Sequence, residues 1–291
     1  MKKNRLLIGL KGPFIRFYLA DTTSLVEEAR EKFSLYPTSA AALGRVLSMS
    51  AVMGTMLKDG NEQYNIAIHS DGAISTIMAI ARPDGSVKGF ISNPNVYDVY
   101  GDTGKLAVGR AIGSGTLSVT KSMNMKGNFS STVNLQTGEI GDDFAFYFAK
   151  SEQRASIVSL GVLVDTDQSI RSAGCFFIEL LPGYGEEDIV YLENLAARMR
   201  PISTEIDELS LEEIIEKNLG EVEILEEREL EYRCDCSRGR FKEKLLTLSR
   251  KDLLDLAKAQ QDIEIKCDFC GKTYTYSAKE LNDWLDDVGT A

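Results

Sequence analysis

Residues 38–60 read TSAAALGRVLSMSAVMGTMLKDG, and this stretch predicts one long helix, with Thr38 as its N-cap and Gly60 just past its end. Small residues recur along it and would permit close packing, namely Ala40, Ala41, Gly44, Ser48, Ala51 and Gly54. Three methionines lie at helical spacing on one side: Met49, Met53 and Met56. They fit a buried core helix, and they also fit an adaptable binding surface, because methionine side chains are flexible.

The segments after this helix have strand patterns, and they come in runs rather than in alternation with helices. They are YNIAIHS (64–70), AISTIMAIAR (73–82), SVKGFIS (86–92), LAVGRAIG (106–113), GTLSVTKSM (115–123), FSSTVNLQ (129–136), SIVSLGVLVD (156–165) and AGCFFIELLPG (173–183). DDFAFYFAKSEQ (142–153) predicts a helix. Because strands in runs favour antiparallel pairing, residues 1–178 are predicted to form a mixed α+β domain with a largely antiparallel sheet and a long buried helix.

Residues 179–233 are predicted to form an acidic, amphipathic helical linker. An apolar pattern at helical spacing ends before Pro201 and consists of Ile189, Leu192, Ala196 and Met199. Ser210 and Glu213 have the spacing of a capping box, which opens a second helix that Gly220 closes. This helix carries apolar residues that need a cover: Leu211, Ile214 and Ile215. We expect the cover to be the neighbouring domain, and the burial could be conditional.

The charge of the chain is concentrated in the same segment. The net charge is -11, and residues 179–233 alone hold seventeen acidic and five basic residues. Such a balance argues against a nucleic-acid partner, because nucleic-acid binding depends on neutralising phosphates with lysine and arginine. An anionic segment also disfavours self-association if it comes loose.

The bulk composition is that of a globular protein, with 43% apolar and 26% charged residues over 291 positions. No run of eighteen uncharged apolar residues occurs, so no membrane partner is expected. The first apolar run is broken at Lys11 and Arg16, unlike a signal peptide. We therefore expect a cytoplasmic protein, where reduced cysteines favour metal or redox use.

Four of the five cysteines fall in two close pairs in the small segment 234–291. Cys234 and Cys236 form C-x-C, and Cys267 and Cys270 form C-x-x-C followed by Gly271. Four cysteines in two pairs fit tetrahedral zinc coordination by thiolates, so one Zn²⁺ per chain is predicted. Basic residues that would offset the negative charge of such a site flank the cysteines: Arg233, Arg238, Lys266 and Lys272.

The rest of this segment predicts a small fold that depends on the metal. LLTLSRKDLLDLAK (245–258) has a helix pattern, with Ser249 and Asp252 in capping-box spacing. IEIKC and YTYS predict two strands, and Ser277 with Glu280 opens a last helix. Zinc binding in structural sites contributes about 10–16 kcal/mol, more than the whole stability of a small domain, about 5–15 kcal/mol. Oxidation of the thiolates would therefore unfold the segment, although a zinc ribbon without any switch fits the same residues.

Other functions find weaker support in the sequence. His69 is the only histidine and has no evident catalytic partner, and Cys175 in an apolar strand reads as a buried small residue. GDTGK (101–105) and GRAIGSG (109–115) lack a nucleotide-binding pattern, so no enzyme is expected. Cys267 to Cys270 has the spacing of a thiol-disulfide oxidoreductase, but no βαβ pattern surrounds it. That activity remains an alternative.

The chain resembles the heat-shock protein 33 family, the redox-regulated 33 kDa chaperonins. The resemblance rests on CDC (234–236) and CDFC (267–270), and continues in TSAAALGRVLSMSAVMGTMLKDG, GEIGDDFAFYFAKSEQ followed by SLGVLV, and GCFFIELLPGYGEEDI. It covers essentially the whole chain and the order of its segments. The paired cysteines are its most specific element.

The resemblance implies a function and a state for each cysteine. Members of the family are ATP-independent holdase chaperones of the bacterial cytoplasm, inactive while reduced and zinc-bound. Oxidation forms two disulfides, releases zinc and unfolds the tail and linker, after which a homodimer holds unfolding client proteins. Carried onto this chain, the family's disulfides would be Cys234–Cys236 and Cys267–Cys270. No motif identifies the surface that binds clients.

Overall fold

The computed structural model describes residues 4–101, 104–123, 127–258 and 262–288. The chain forms two compact units, Met1–Arg233 and Cys234–Ala291. The finer division of the first unit into a core of residues 1–178 and a linker of residues 179–233 stays a prediction.

A five-stranded antiparallel sheet forms one layer of the first unit, in the order β10-β1-β2-β9-β8. Its strands are β1 (Arg5–Lys11), β2 (Ile15–Asp21), β8 (Ser156–Val164), β9 (Ile170–Leu180) and β10 (Glu223–Glu229). β9 lies between β2 and β8 and is buried along nearly its whole length, because elements cover both faces of the sheet. Because successive side chains of β9 point to opposite faces of the sheet, the strand contributes residues to two hydrophobic cores.

A six-stranded sheet forms the second layer, in the order β11-β5-β4-β3-β6-β7. Its strands are β3 (Gln63–Ser70), β4 (Thr76–Ala81), β5 (Ser86–Ile91), β6 (Gly115–Ser122), β7 (Asn128–Asn134) and β11 (Glu231–Tyr232). All pairs are antiparallel except the short β11–β5 pair. The predicted α+β class with a largely antiparallel sheet is confirmed.

The long helix α2 (Pro37–Thr55) is buried and packs against strands of both sheets. Its small residues permit this close approach: a Cβ added to Gly44 would lie 2.6 Å from Val26 Cγ1. Met49 and Met53 are buried and Met56 is half-buried, which supports the interpretation as a core helix. α1 (Thr23–Phe33) precedes this helix, and it was not predicted, nor were β1 and β2.

The predicted ends of α2 were wrong. The N-cap is Tyr36, followed by Pro37, and the C-cap is Met56 rather than a residue near Gly60. Proline is favoured in the first helical turn, where its missing N–H costs nothing. The Thr38 hydroxyl instead donates to the carbonyl of Asp98 at 2.9 Å and ties the helix to a distant loop.

LAVGRAIG was wrongly predicted as a strand and contains the short helix α3 (Val108–Ile112). Its apolar residues lie at spacings that also suit a helix, and Val108 and Ile112 are both buried. Gly113 ends the helix with φ +76°, a conformation that favours glycine. DDFAFYFAKSEQ is helical as predicted, as α4 (Gly141–Tyr147) and one π-helical turn, Phe148–Glu152.

Three helices of the acidic segment cover the outer face of the five-stranded sheet. They are α5 (Glu186–Arg198), α6 (Ile202–Glu208) and α7 (Leu211–Leu219). The Ser210 capping box opens α7 as predicted, with the Glu213 N–H donating to Ser210 Oγ at 3.3 Å. Leu211, Ile214 and Ile215 are buried, so they have the cover that their pattern requires.

Two features of this segment differ from the prediction. α5 buries Leu192 and Leu195, while Ile189 is 39% exposed and Ala196 is exposed, so the predicted apolar face is rotated. The segment also contains strands, because β10 pairs with β1 and β11 with β5. Glutamate-rich β10 has little intrinsic strand propensity, and tertiary pairing overrides that preference.

The second unit is a small fold with three helices and one hairpin among its described residues. These are α8 (Arg238–Leu245), α9 (Arg250–Lys258), β12 (Ile263–Lys266), β13 (Thr273–Tyr276) and α10 (Ala278–Val288). The predicted hairpin strands and the capping boxes at Ser249 and Ser277 are confirmed. Its core contains Leu245, Leu253, Tyr276, Leu281 and Trp284.

None of the helices in the described residues has both the length and the hydropathy that crossing a bilayer requires.

Candidate metal centre

The turn between β12 and β13 positions Cys267 and Cys270. The Cys267 N–H donates to the carbonyl of Lys272 at 2.9 Å, and the Gly271 N–H donates to the carbonyl of Cys267 at 2.8 Å. Gly271 has φ +72°, a conformation that glycine adopts at little cost. The glycine after the C-x-x-C therefore makes the tight turn that its place in the sequence predicts.

Cys234 and Cys236 lie in the extended segment that leads into α8. Ser237 caps this helix, since the Arg240 N–H donates to Ser237 Oγ at 3.2 Å. The Arg240 guanidinium folds back and donates to the carbonyl of Asp235 at 3.1 Å. The first turn of α8 thus holds Asp235, the residue between the two cysteines. This contact orients the side chains of Cys234 and Cys236 toward the hairpin.

The four thiols of this segment converge to one small cluster. The sulfurs of Cys234 and Cys267 lie 3.7 Å apart, and those of Cys236 and Cys270 lie 3.3 Å apart. All four sulfurs lie within 4.8 Å of one another. Four sulfurs about 2.3 Å from a central zinc ion would be about 3.8 Å apart. The predicted residues therefore come together, and the cluster can hold a metal ion.

Tyr274 is a polar neighbour of the cluster. Its hydroxyl lies 3.2 Å from the sulfur of Cys236 and donates to the Cys236 carbonyl at 3.1 Å. Burial raises the pKa of the Cys236 thiol, but hydrogen bonds with Tyr274 and Cys270 outweigh it and lower that pKa to about 7. Burial raises the pKa of the Cys234 and Cys267 thiols. Cys236 therefore ionises more readily than either of these.

Tyr274 was missed by the sequence analysis, which gave YTYS only a role as a strand. A signal was available in the alternation of that strand, because residues two apart lie on the same face. Tyr274 and Tyr276 share a face, and the Tyr276 hydroxyl donates to the carbonyl of Arg238 at 2.6 Å. The two tyrosines thus tie the hairpin to the segment that carries the first cysteine pair.

Two of the predicted flanking cations are occupied elsewhere. Arg238 donates to both carboxylate oxygens of Glu280, at 2.8 and 2.9 Å, and stacks over Tyr276. This arginine and the Ser277 N–H lower the pKa of Glu280 to about 2. Arg233 pairs with Asp84 and Glu231 in the first unit. Both guanidinium groups thus bind carboxylates, and the expectation that they offset the charge of the four sulfurs stays a prediction.

Cys175 does not belong to the cluster. It is fully buried on β9, and its sulfur lies 3.8 Å from the Met49 sulfur of α2. Burial raises the pKa of its thiol far above the usual value. A thiol that resists ionisation is a poor nucleophile, and the prediction of a small buried residue is confirmed.

His69 and the two glycine-rich stretches are the other residues that the sequence analysis considered for enzymatic functions. His69 is exposed on β3, and its Nδ1 lies 3.4 Å from the Thr76 hydroxyl of the neighbouring strand. GRAIGSG forms α3 and the start of β6. In GDTGK, residues 102 and 103 lie outside the described part of the chain.

The comparisons with known proteins agree on one family. The family model described as "Hsp33 protein" matches residues 8–277. The 33 kDa chaperonin of Bacillus velezensis is 39% identical over 277 residues, which cover 94% of this chain and 95% of that protein. The 33 kDa chaperonin of Alkaliphilus oremlandii is 39% identical over 278 residues, covering 94% and 93%. The crystal structure of the Hsp33 homologue of Thermotoga maritima has a TM-score of 0.90 and 31% identity, with 100% of both chains covered.

Proposed function

Because the chain belongs to the Hsp33 family, we propose that it is a redox-regulated, ATP-independent holdase chaperone of the bacterial cytoplasm. Its relatives are named chaperonins, and the resemblance extends over both compact units. The observation that carries the redox part of the proposal is the convergence of four thiols within 4.8 Å of one another. Such a cluster can be both a metal site and a pair of disulfide precursors.

Zinc is the metal that the ligand chemistry favours. Cys234, Cys236, Cys267 and Cys270 would hold it, since four soft sulfur ligands at tetrahedral separations suit Zn²⁺. Bound zinc would keep the four sulfurs ionised and join the two cysteine pairs. The Tyr274 hydroxyl supports this role, because polar partners of metal ligands orient them.

Oxidation would convert this site into two disulfides, Cys234–Cys236 and Cys267–Cys270. Each disulfide forms when two thiols lose two protons and two electrons, and one molecule of peroxide accepts them and becomes two waters. A disulfide between near neighbours closes almost no loop, so it stabilises the fold little. The hydrophobic core around Trp284 would then stand alone, in a unit too small to be stable without a staple.

The acidic segment is the part of the chain that activation would expose. It covers the outer face of the five-stranded sheet, and its last residue immediately precedes Cys234. The apolar side chains buried between helices and sheet include Phe17, Leu19, Phe176, Leu195 and Ile214. Release of the helices would present two apolar surfaces to unfolding proteins. Seventeen acidic residues would keep the released segment soluble.

The partners of the activated state follow from the same surfaces. We propose that it binds partly unfolded client proteins and forms a homodimer, without nucleic acid or membrane partners. Exposed apolar area is what unfolding proteins and a second copy would both bury.

The experiment that tests the proposal follows zinc release and chaperone activity together. Reduced protein is treated with peroxide at mild heat, zinc is measured with a colorimetric chelator, and light scattering follows the aggregation of a heat-denatured client. We expect one zinc ion per chain to be released and aggregation to fall only after oxidation. Equal protection by reduced and oxidised protein would refute the switch. Turnover in an insulin-reduction assay would favour an oxidoreductase, and zinc that stays bound would favour a structural ribbon.

A further inference from the structure

β8 is the last strand of the five-stranded sheet, and among the described strands it pairs with β9 alone. The Leu180 N–H donates to the carbonyl of Ala155, which fixes the alternation of hydrogen bonds along the pair. Residues at even positions, Val158, Leu160 and Val162, therefore turn their backbone N–H and C=O groups away from β9. Among the residues that the structure describes, none forms a hydrogen bond with these outward groups.

The two edges of this sheet are protected differently. β10, at the opposite edge, reads EILEERE, and five of its seven residues are charged. β8 reads SIVSLGVLV and contains neither a charge nor a proline. Charges and prolines are the usual protection of an edge strand against pairing with other chains. The β8 edge lacks both, so its capacity to pair is retained.

A cleft of about 1010 Å³ runs along the unprotected edge, lined by β8 from Val158 to Val164. The lining outside β8 includes an aromatic wall, with Tyr36, Tyr97 and Leu106, and also charged residues, among them Arg45, Lys105 and Glu139. The other wall comes from the start of α6, with Pro201 and Thr204. Tyr97 is 66% exposed, so its ring is accessible to a bound chain.

Gly141 marks one end of the open edge. A Cβ on this glycine would lie 3.4 Å from the Val158 carbonyl oxygen and 4.0 Å from the Leu160 nitrogen. The start of α4 thus covers the edge near Val158. The carbonyl of Leu160 and both backbone groups of Val162 lie beyond it.

We propose that the β8 edge binds an extended segment of a non-native polypeptide, which adds to the sheet as a further strand beside Leu160 and Val162. This inference rests on the proposed chaperone function and identifies one binding mode within it. Strand addition recognises the peptide backbone, which all polypeptides share, and so requires no client sequence. The aromatic wall supplies apolar contacts for the alternate side chains that point toward it.

The walls of the cleft argue for a peptide and against a second copy of this chain. In a symmetric pair of β8 edges, each chain would bring its own aromatic wall against the wall of the other. An extended peptide has no such bulk. The wall from α6 belongs to the segment that the proposed activation loosens, so oxidation would widen access to the edge.

A proline at Val162 tests the proposal, because it removes the outward N–H and keeps the bonds to β9. Proline is tolerated at edge positions whose N–H faces away from the sheet. Val162→Ala is the matched control, since it shortens the buried side chain and keeps the N–H. The probe is fluorescently labelled, reduced and carboxymethylated α-lactalbumin, which cannot fold. Its affinity for the oxidised full-length chain is measured by anisotropy.

We expect Val162→Pro to bind the probe about five-fold more weakly than Val162→Ala, the effect of losing one hydrogen bond. A second pair avoids any change within β8. Gly141→Leu would extend a side chain over the Leu160 end of the edge, whereas Gly141→Ala adds only a methyl group in ordinary contact. This pair decides the question if the proline variant does not fold.

The outcomes separate the inference from the proposed function. Weaker binding by Val162→Pro and Gly141→Leu, with normal binding by both alanine variants, supports strand addition. Wild-type binding that neither large change weakens overturns the inference and leaves the chaperone function standing. A wild-type chain that neither binds the probe nor prevents aggregation refutes the proposed function itself. If sedimentation shows that the proline variant loses dimers but keeps its probe affinity, the edge serves a second copy and the inference is wrong.

Discussion

The hydroxyl of Tyr274 lies 3.2 Å from the sulfur of Cys236 and donates a hydrogen bond to the carbonyl oxygen of the same residue. One side chain of the hairpin thus contacts both the sulfur atom and the backbone of a cysteine 38 positions earlier in the chain. This contact fixes how the first cysteine pair approaches the second.

Tyr274→Phe should weaken metal retention. Removing the hydroxyl deletes a single donor that lies 3.2 Å from the Cys236 sulfur and 3.1 Å from the Cys236 carbonyl oxygen. Such outer partners contribute about 10- to 100-fold in metal affinity. We expect at least a tenfold loss of zinc affinity, measured by competition with a chromogenic chelator. Release by peroxide should also be faster.

Tyr276→Phe is the matched control for this substitution. Its hydroxyl bonds to the carbonyl of Arg238 and contacts no cysteine. We expect a loss of about 1 kcal/mol of stability in the tail unit with little change in zinc affinity. Equal zinc loss in both variants would contradict the role assigned to Tyr274.

Cys267→Ser should unfold the tail unit without any oxidant. Structural zinc contributes about 10–16 kcal/mol, which exceeds what the small core can supply. Trp284 is the only tryptophan, and it packs edge-on against Tyr276 with centroids 5.5 Å apart. Its fluorescence should shift to the red and lose sensitivity to chelator.

Cys175→Ala should leave that fluorescence and the zinc content unchanged. Its sulfur contacts Met49 in the buried core of the first unit. A change in zinc content in this variant would contradict the assignment of four ligands.

Ile214→Ala should loosen the acidic segment in the reduced protein. Ile214 lies on the covered face of α7 and is completely buried. Truncating a buried isoleucine to alanine lowers the free energy of unfolding by about 2–5 kcal/mol. We expect faster hydrogen exchange in residues 186–219 and measurable protection of a client before oxidation. Ile189→Ala, the same change at a 39% exposed position of α5, should alter neither. Faster exchange without added protection would separate the segment from chaperone activity.

Glu27→Gln should reduce the dependence of stability on pH. The Glu27 carboxylate accepts two hydrogen bonds from Arg30 and one from the Ile170 N–H, at 2.6, 2.9 and 2.8 Å. The bonds from Arg30, and then that from Ile170, lower its pKa below the usual 4.5 although burial opposes them. The stabilisation is therefore complete above pH 4.5 and is lost as the pH falls through the lowered pKa.

Urea denaturation of both proteins between pH 7 and pH 3 measures this effect. The advantage of the wild type, on the order of 1 kcal/mol, should shrink as the pH falls. Acid also releases metal from cysteines, but that loss is common to both proteins and cancels in the difference. A constant difference across this range would contradict the assignment.

The cysteine cluster and the buried helix could be predicted because their signals are local. Two cysteine pairs and a glycine at the right spacing specify a thiolate site wherever the chain takes them. α2 is recognisable from its small and apolar residues, and the Ser210, Ser249 and Ser277 caps from pairs three residues apart. Each of these depends on residues that are neighbours in the sequence.

The errors arose where a distant part of the chain decides the local structure. EILEERE becomes a strand only because β1 offers it a partner more than two hundred residues away. LAVGRAIG fits a strand or a helix equally, and Gly113 and the surrounding core select the helix. α5 turns Leu195 rather than Ala196 toward the sheet, because the sheet surface, not the helix, sets which side is covered.

The sequence by itself determined which residues can bind metal, where the acidic charge lies and which face of α7 must be buried. Only the tertiary structure decided that Tyr274 contacts Cys236, that the acidic segment covers the five-stranded sheet, and that β8 ends that sheet with a free edge. The physical reason is the range of the interactions. Ligand spacing and caps act over a few residues, whereas the order of strands in a sheet depends on pairings between segments that only folding brings together.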